Sequence, residues 1–246
     1  MSTIAIGDVH GNRAALDDLL GRLHAELKVG DTVVFLGDYI DRGPDTKGCI
    51  DRILRFRAET PVDVVTLIGN HEDWLLRTFA DRCRHSWLLG MEALDTIASY
   101  SQEAADSIRR AAEAAGPRLI IDRVALPYDE FFRVLPAGHV AFLRGLQVFY
   151  RTADAVLVHG GLDPTVHSVE AQTRETLIWG TENFLTDYDG PDLVVYGHWD
   201  NAEIDAAGWP HAAIGRSSIG IDTISHGVLT AVRVPDRRVF QSGRFV

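Results

Sequence analysis

Cysteine is scarce in this chain of 246 residues, with only Cys49 and Cys83 present. Two thiols make no disulfide framework, and the expectation is a pair of reduced cysteines in a cytoplasmic protein. The N-terminus lacks a basic stretch followed by an apolar run, so no signal peptide is expected. No apolar run approaches the roughly 18 residues that cross a bilayer, so no membrane span is expected. Positive charge is also short, with 24 Lys and Arg against 35 Asp and Glu and a net charge of −11. That balance argues against binding to a nucleic-acid backbone or an anionic membrane surface. It leaves room for a small anion held by a local cluster of cations. Internal repeats, low-complexity segments and linkers are all missing. At 46% hydrophobic residues, the chain can bury an ordinary globular core, and residues 1–246 are expected to form a single α/β domain.

What is present is a strand–loop–helix pattern that opens three times. An apolar run from Thr3 leads into Gly7-Asp8-Val9-His10-Gly11. Asp8 and His10 are two apart, so an extended backbone points them the same way. Leu16, Leu19, Leu20, Leu23 and Leu27 then recur at helical spacing, which predicts an amphipathic helix over 12–27. A second strand is predicted over 31–36, ending in Gly37-Asp38, with a loop to Gly43. Pro44 suits the first turn of the helix that follows. A third strand is predicted over 62–68, near-continuously apolar and so expected to be buried on both faces. It ends in Gly69-Asn70-His71-Glu72.

Residues 74–146 read differently. Helices are predicted over 74–84, 90–99 and 101–115, with a stop at Gly116-Pro117. This stretch reads as a helical insertion over one edge of the site, where substrate choice would be set. His85 and His139 within it read as surface or packing histidines. Strands resume over 155–158, before His159-Gly160-Gly161, and over 193–196, before Gly197-His198. The tail from 214 to 240 reads as short antiparallel strands.

Ligands of open α/β sheets bind outside the C-terminal ends of the strands, and the polar residues gather at those ends. Asp8, His10, Asp38, Asn70, His159 and His198 offer carboxylate, imidazole and amide oxygen, a mixture that suits a pair of divalent transition metals. Asp38 could bridge, with one carboxylate oxygen on each ion. Two cations about 3.5–4 Å apart can clamp a phosphoryl group and generate a metal-bound hydroxide at neutral pH. Arg42 offers a guanidinium fork that matches phosphate oxygens. His71 could protonate a leaving alkoxide, and Asp41 could orient that imidazole and keep it charged. On this reading Arg42, Asn70 and His71 face the substrate.

Gly7-Asp-Val-His-Gly11, Gly37-Asp-Tyr-Ile-Asp-Arg-Gly43, Gly69-Asn-His-Glu72, His159-Gly160 and Gly197-His198 stand in the order and rough spacing of the calcineurin-like metallophosphoesterases, which this chain resembles. The Asp-Arg-Gly ending of the second motif looks like the short bacterial and phage serine/threonine phosphoprotein phosphatases. The resemblance implies a two-layered β-sandwich flanked by helices, with a dinuclear site at the sheet rim. Asp8, His10 and Asp38 would hold one metal, and Asp38, Asn70, His159 and His198 the other. Arg42 would bind phosphate, and His71 with Asp41 would be the acid pair. The metals would be two divalent ions, Mn²⁺ foremost, with Fe or Zn as alternatives.

The chain departs from that pattern at the mouth of the site. Short bacterial members carry an arginine just after the Trp of the motif matching Leu177-Ile-Trp179, and here Gly180-Thr181-Glu182 follows. Losing such a contact would cost about 2–3 kcal/mol of phosphate binding. Arg174 and Arg216 are the candidates to replace it. Trp199 stands where these phosphatases have Thr. The leading expectation is a dinuclear-metal phosphomonoesterase of the phosphoprotein-phosphatase type, in which a metal-bound hydroxide attacks the phosphorus of a phosphorylated protein or small phosphoester. The loop Tyr39-Ile40-Asp41 leans that way. Symmetrical dinucleotide hydrolases resemble the chain over the same motifs, so hydrolysis of a phosphoanhydride such as diadenosine tetraphosphate is the alternative. A phosphate-binding scaffold without turnover is the third reading.

Overall fold

β-branched and small apolar residues make the innermost strand. Thr3–Ile6 forms β1, and all four residues are buried, as a strand covered on both faces requires. Asn12 caps the next helix, its side chain accepting from Ala15 N, so α1 runs Arg13–His24. It stops short of the predicted Leu27, which is half-buried beyond the helix. β2 is Thr32–Phe35. Asp45, not Pro44, begins the next helix: its carboxylate accepts from Gly48 N, and α2 spans Thr46–Glu59. β3 is Asp63–Thr66, and it corrects the expectation of a doubly buried strand. It lies at the edge of its sheet, with Asp63 exposed and Val64 and Val65 half-buried.

The computed structural model describes residues 1–245 and continues with a run of helices. These are α3 Asn70–Ala80, α4 Ser86–Gly90, α5 Ala93–Tyr100, α6 Gln102–Ala115, α7 Arg118–Ile121, α8 Asp129–Phe132 and α9 Ala137–Arg144. The α3 helix starts four residues before the predicted 74, because Glu72 turns back to accept the Gly69 amide and closes the first turn. His85 and His139 are buried packing histidines, bonded to Tyr128 and Tyr100.

The remaining strands are β4 Phe149–Arg151, β5 Val156–Val158, β6 Val194–Tyr196, β7 Glu203–Ile204, β8 Pro210–His211, β9 Ala213–Ile214, β10 Ser218–Gly220, β11 Thr230–Val234 and β12 Arg238–Gln241. Between β5 and β6 lie α10 Arg174–Trp179 and α11 Phe184–Asp187. One sheet has the order β12-β11-β1-β2-β3 and the other β4-β5-β6-β10-β9, with β7 and β8 as a separate hairpin. Each five-stranded sheet has a parallel trio, β1-β2-β3 in one and β5-β6-β10 in the other, with antiparallel strands outside it.

The sheets face each other across a core of Ala5, Val34, Leu36, Leu157, Val195, Ile219 and Val232. A larger core of Leu16, Leu19, Ile50, Ile53, Trp87, Phe131 and Phe142 binds the helices to the first sheet. This is the helix-flanked α/β sandwich expected from the sequence. Cys49 is buried, Cys83 half-buried, and neither is in a disulfide. Among the described residues no helix is long and apolar enough to cross a membrane.

Candidate active site

All six strands of the two parallel trios release a polar residue at their C-terminal ends. β1 leads to Asp8, β2 to Asp38, β3 to Asn70, β5 to His159, β6 to His198 and β10 to Asp222. The loops that carry them are tied together by main-chain bonds. The Val9 and His10 amides donate to Asp38 O at 3.0 and 2.8 Å, and Gly11 N donates to Tyr39 O at 3.0 Å. Glu72, fully buried, accepts from four amides: Asp38 N and Gly69 N at 3.0 Å, Tyr39 N at 2.8 Å and Ile40 N at 3.3 Å. The backbone bends sharply to present these side chains. His10, Asp38, Asp41, Arg42 and His198 all have positive φ, between 42° and 67°. Each such residue costs on the order of 1–3 kcal/mol, and their clustering at one rim marks a site that the surrounding packing has to enforce.

The predicted ligands converge. Asp38 Oδ2 lies 3.5 Å from His10 Nε2, 3.4 Å from His159 Nε2 and 3.8 Å from His71 Nε2. Asn70 Oδ1 lies 2.9 Å from His159 Nε2 and 3.0 Å from His198 Nδ1. Asp8 Oδ2 is 4.0 Å from His10 Nε2. His10 Nδ1 donates to Ile40 O at 2.8 Å, which leaves its Nε2 lone pair facing the cluster. Two groups of donors close enough to hold a cation share Asp38: one with His10 and His71, the other with His159 and His198.

The electrostatics fit a pair of cations. Burial, then the carboxylates of Asp222 and Asp38, push Asp8 well above the usual carboxylate range. Burial, then Asp38, raises Asp222 to about 6. Burial also holds His10 down at about 3 and, with His159, His198 at about 4, so both imidazoles are neutral ligands at neutral pH. Buried His71 Nε2 and His159 Nδ1 have no hydrogen-bond partner. Crowded carboxylates and neutral imidazoles are what bound divalent ions would satisfy, while an unpartnered His71 Nε2 is open to a substrate oxygen.

His71 and Asp41 form the expected pair, with Nδ1 2.7 Å from Asp41 Oδ2. Burial disfavours the charged imidazole, but Asp38 and Asp41 outweigh it and raise the His71 pKa. Asp41 is itself held from the helical stretch: Trp87 Nε1 donates to Oδ2 at 2.9 Å and Thr96 Oγ1 to Oδ1 at 2.6 Å. Arg42 stands exposed at the mouth, one Nη1 3.1 Å from His10 Nε2.

Both candidates for the second cation are paired with acids. Arg216 pairs with Asp189 on the surface, and Arg174 Nη1 sits 2.5 Å from buried Asp73. The absent arginine and the added tryptophan are neighbours in space, and both adjoin the Gly160 carbonyl, which a Cβ at 180 would also meet. The Trp199 indole donates to Gly160 O at 2.7 Å and lies against Gly180, where a Cβ would come within 2.8 Å of its ring. Gly180 also adopts φ 69°, ψ −175°, a conformation that is essentially glycine's alone. A side chain at 180 and an indole at 199 cannot share that space. Trp87, Thr96, Glu72 and Asp222 escaped the sequence reading of the site. Two left a usable sign: Glu72 as the last residue of the Gly-Asn-His-Glu motif, without a role, and Asp222 as an Ile-Asp-Thr run after an apolar strand like the other five.

A sandwich whose parallel strands all deliver carboxylate, imidazole and amide donors to one rim offers the donor set of a site for divalent cations. The sequence profile of the calcineurin-like phosphoesterases matches residues 1–214, and the chain belongs to that family. The symmetrical bis(5'-nucleosyl)-tetraphosphatase of Proteus mirabilis (strain HI4320) is 35% identical over 85 residues, 35% of this chain and only 29% of that protein's length. The asymmetrical bis(5'-nucleosyl)-tetraphosphatase PrpE of Oceanobacillus iheyensis is 24% identical over 94% of this chain and 88% of that protein. The crystal structure of a proposed diadenosine tetraphosphatase shares the fold, with a TM-score of 0.62 at 21% identity over 99% of this chain and 94% of that one.

Proposed function

We propose that this protein is a metal-dependent phosphoric ester hydrolase that works with two divalent cations, one held by Asp8, His10 and Asp38, the other by Asp38, Asn70, His159 and His198. The observation that carries the reading is the position of Asp38, whose Oδ2 lies within 3.5 Å of a histidine from each group. The donors are oxygen and nitrogen only, which suits Mn²⁺, and Fe or Zn as well. When bound, such a metal pair activates water and withdraws charge from the phosphoryl oxygens. The protein's own groups do the rest. Arg42 leaves His10 Nε2 and takes phosphoryl oxygens on its fork. His71, charged and with a free Nε2, gives its proton to the leaving oxygen, and Asp41 keeps the ring in place. Asn70 and His71 sit against the substrate.

For the substrate, the relatives' names support dinucleoside polyphosphates. Tyr39 and Ile40, which leaned toward protein phosphatases, are buried, and the Tyr39 hydroxyl donates to Leu67 O at 2.8 Å. Their identity serves packing rather than substrate choice. The phosphoprotein-phosphatase reading keeps Arg42, exposed at an open mouth, in its favour. The test is a panel of diadenosine tetraphosphate, phosphopeptides and p-nitrophenyl phosphate, run on chelated protein reloaded with Mn²⁺. Reloading is expected to restore hydrolysis, fastest on the dinucleotide, and Asp38→Ala to abolish it. Full activity in Asp38→Ala would sink the mechanism. Phosphate binding without turnover on any substrate would favour the scaffold reading.

A further inference from the structure

Beside the site lies a cavity of about 460 Å³, within the roughly 300–1,000 Å³ of small-molecule pockets. His10 and Arg42 form one wall. The others come from the turn at Ile224–Gly227 and from Arg244 and Phe245 of the tail. These walls are pinned. Phe245 N donates to Gly227 O at 2.7 Å, and Gly243 N to Asp18 Oδ2 at 2.6 Å. His226 Nε2 sits 3.0 Å from Asp200 Oδ1. Arg244 is exposed, its guanidinium 5.3 Å from the Trp209 ring centre with one NH₂ donating to Gly208 O, which leaves its other N–H groups for a phosphate. Among the described residues neither Arg42 nor Arg244 is paired with a carboxylate, in a chain where most other arginines near an acid are.

We infer that this cavity holds the nucleoside-phosphate half of the substrate that leaves, with Phe245 and Ile224 against the base and Arg244 on its phosphate. The inference rests on the dinucleoside-polyphosphate reading and names the part of the protein that would impose it. Placement gives the direction. His10 lines the cavity, and its ring lies 4.6 Å from that of His71, so the cavity adjoins the proposed proton donor through His10. In the reaction, a water oxygen bonds to phosphorus and releases a proton to solvent while the P–O bond to the nucleotide breaks. The electron pair goes to the nucleotide oxygen, which takes the His71 Nε2 proton or keeps its charge against Arg244. A flat aromatic face with guanidinium groups matches a base and a phosphate together. A phosphopeptide would instead cross the open surface.

The test is calorimetric titration of the metal-free protein with ADP, with inorganic phosphate and with a phosphoserine peptide. ADP is expected to bind, and Arg244→Ala and Phe245→Ala each to weaken it about tenfold or more. Inorganic phosphate should bind these variants as it binds the parent. Arg244→Ala alone decides the matter should Phe245→Ala unfold, since Arg244 is exposed. Equal ADP affinity in parent and Arg244→Ala overturns the inference, as does a phosphopeptide that loses affinity in parallel with ADP. Loss of all turnover in the Mn²⁺-loaded parent, with ADP binding intact, would instead count against the enzymatic reading and leave the cavity assigned.

Discussion

His71 is a buried imidazole whose charge is favoured by two carboxylates, which is the physical basis of the acid role proposed for it. Its pKa is raised, so the proton is present below that value and lost as pH rises through it. Hydrolysis should therefore fall on the alkaline side, and the limb should vanish in His71→Gln. A pH–rate profile with p-nitrophenyl phosphate, whose leaving group needs little protonation, against an alkyl phosphate, whose leaving group needs much, would check this. The alkyl ester is expected to lose about 10²–10⁴-fold in His71→Gln and the nitrophenyl ester far less. Identical losses would remove His71 from the acid role. Asp41→Asn should show the same pattern, because the charge is gone and its NH₂ replaces the oxygen that accepts from Thr96, leaving one oxygen for Trp87 and His71.

Two loops meet on one carboxylate at Glu72, the N3 residue of α3. Glu72→Gln would turn one acceptor oxygen into an NH₂ facing amide donors, and is expected to cost about 2–3 kcal/mol in denaturant unfolding. Metal affinity should drop with it, since Asp38 and Asn70 flank the bonds that are broken. Unchanged stability would show that the two loops hold without it. The C-terminal end of α10 makes a second element-scale prediction. Gly180→Arg restores the family's cation in sequence but meets the Trp199 ring and a glycine-only backbone. We expect about 1–3 kcal/mol of backbone strain and about 1–3 kcal/mol of overpacking. Trp199→Thr should relieve only part of the overpacking, because a Cβ at 180 would still meet Gly160 O. A double-mutant cycle by thermal unfolding that shows no coupling would mean the two positions are independent.

The whole molecule joins the site from both sheets, and the metal pair is expected to act as a staple between them. Ligands binding only the folded state stabilise it, by about 2.7 kcal/mol at a hundredfold excess over Kd. For a chain of this size that is a rise of roughly 5–10 °C in melting temperature with Mn²⁺. The rise should disappear in His159→Ala, which removes a ligand of the second sheet. A Mn²⁺ shift of full size in His159→Ala would place binding elsewhere.

The chain by itself determined the three opening strand–loop–helix units, the sandwich class and eight of the polar residues at the rim, with Arg42 beside them. Asp-x-His-Gly, Asp-x-x-Asp-Arg-Gly and Asn-His-Glu are local patterns, legible because each is a strand end followed by a turn. What the tertiary structure decided is everything that depends on residues far apart in the chain. Asp222 joins five other strand ends only because β10 lies parallel to β6. Trp87 and Thr96 reach Asp41 across 46 and 55 residues of sequence. Trp199 and Gly180 become neighbours only where both adjoin Gly160. β3 read as a buried strand because Val64 and Val65 are apolar, whereas its place at the sheet edge is a matter of strand order. Periodicity records what each residue prefers, and neighbours brought together by folding leave no spacing to read.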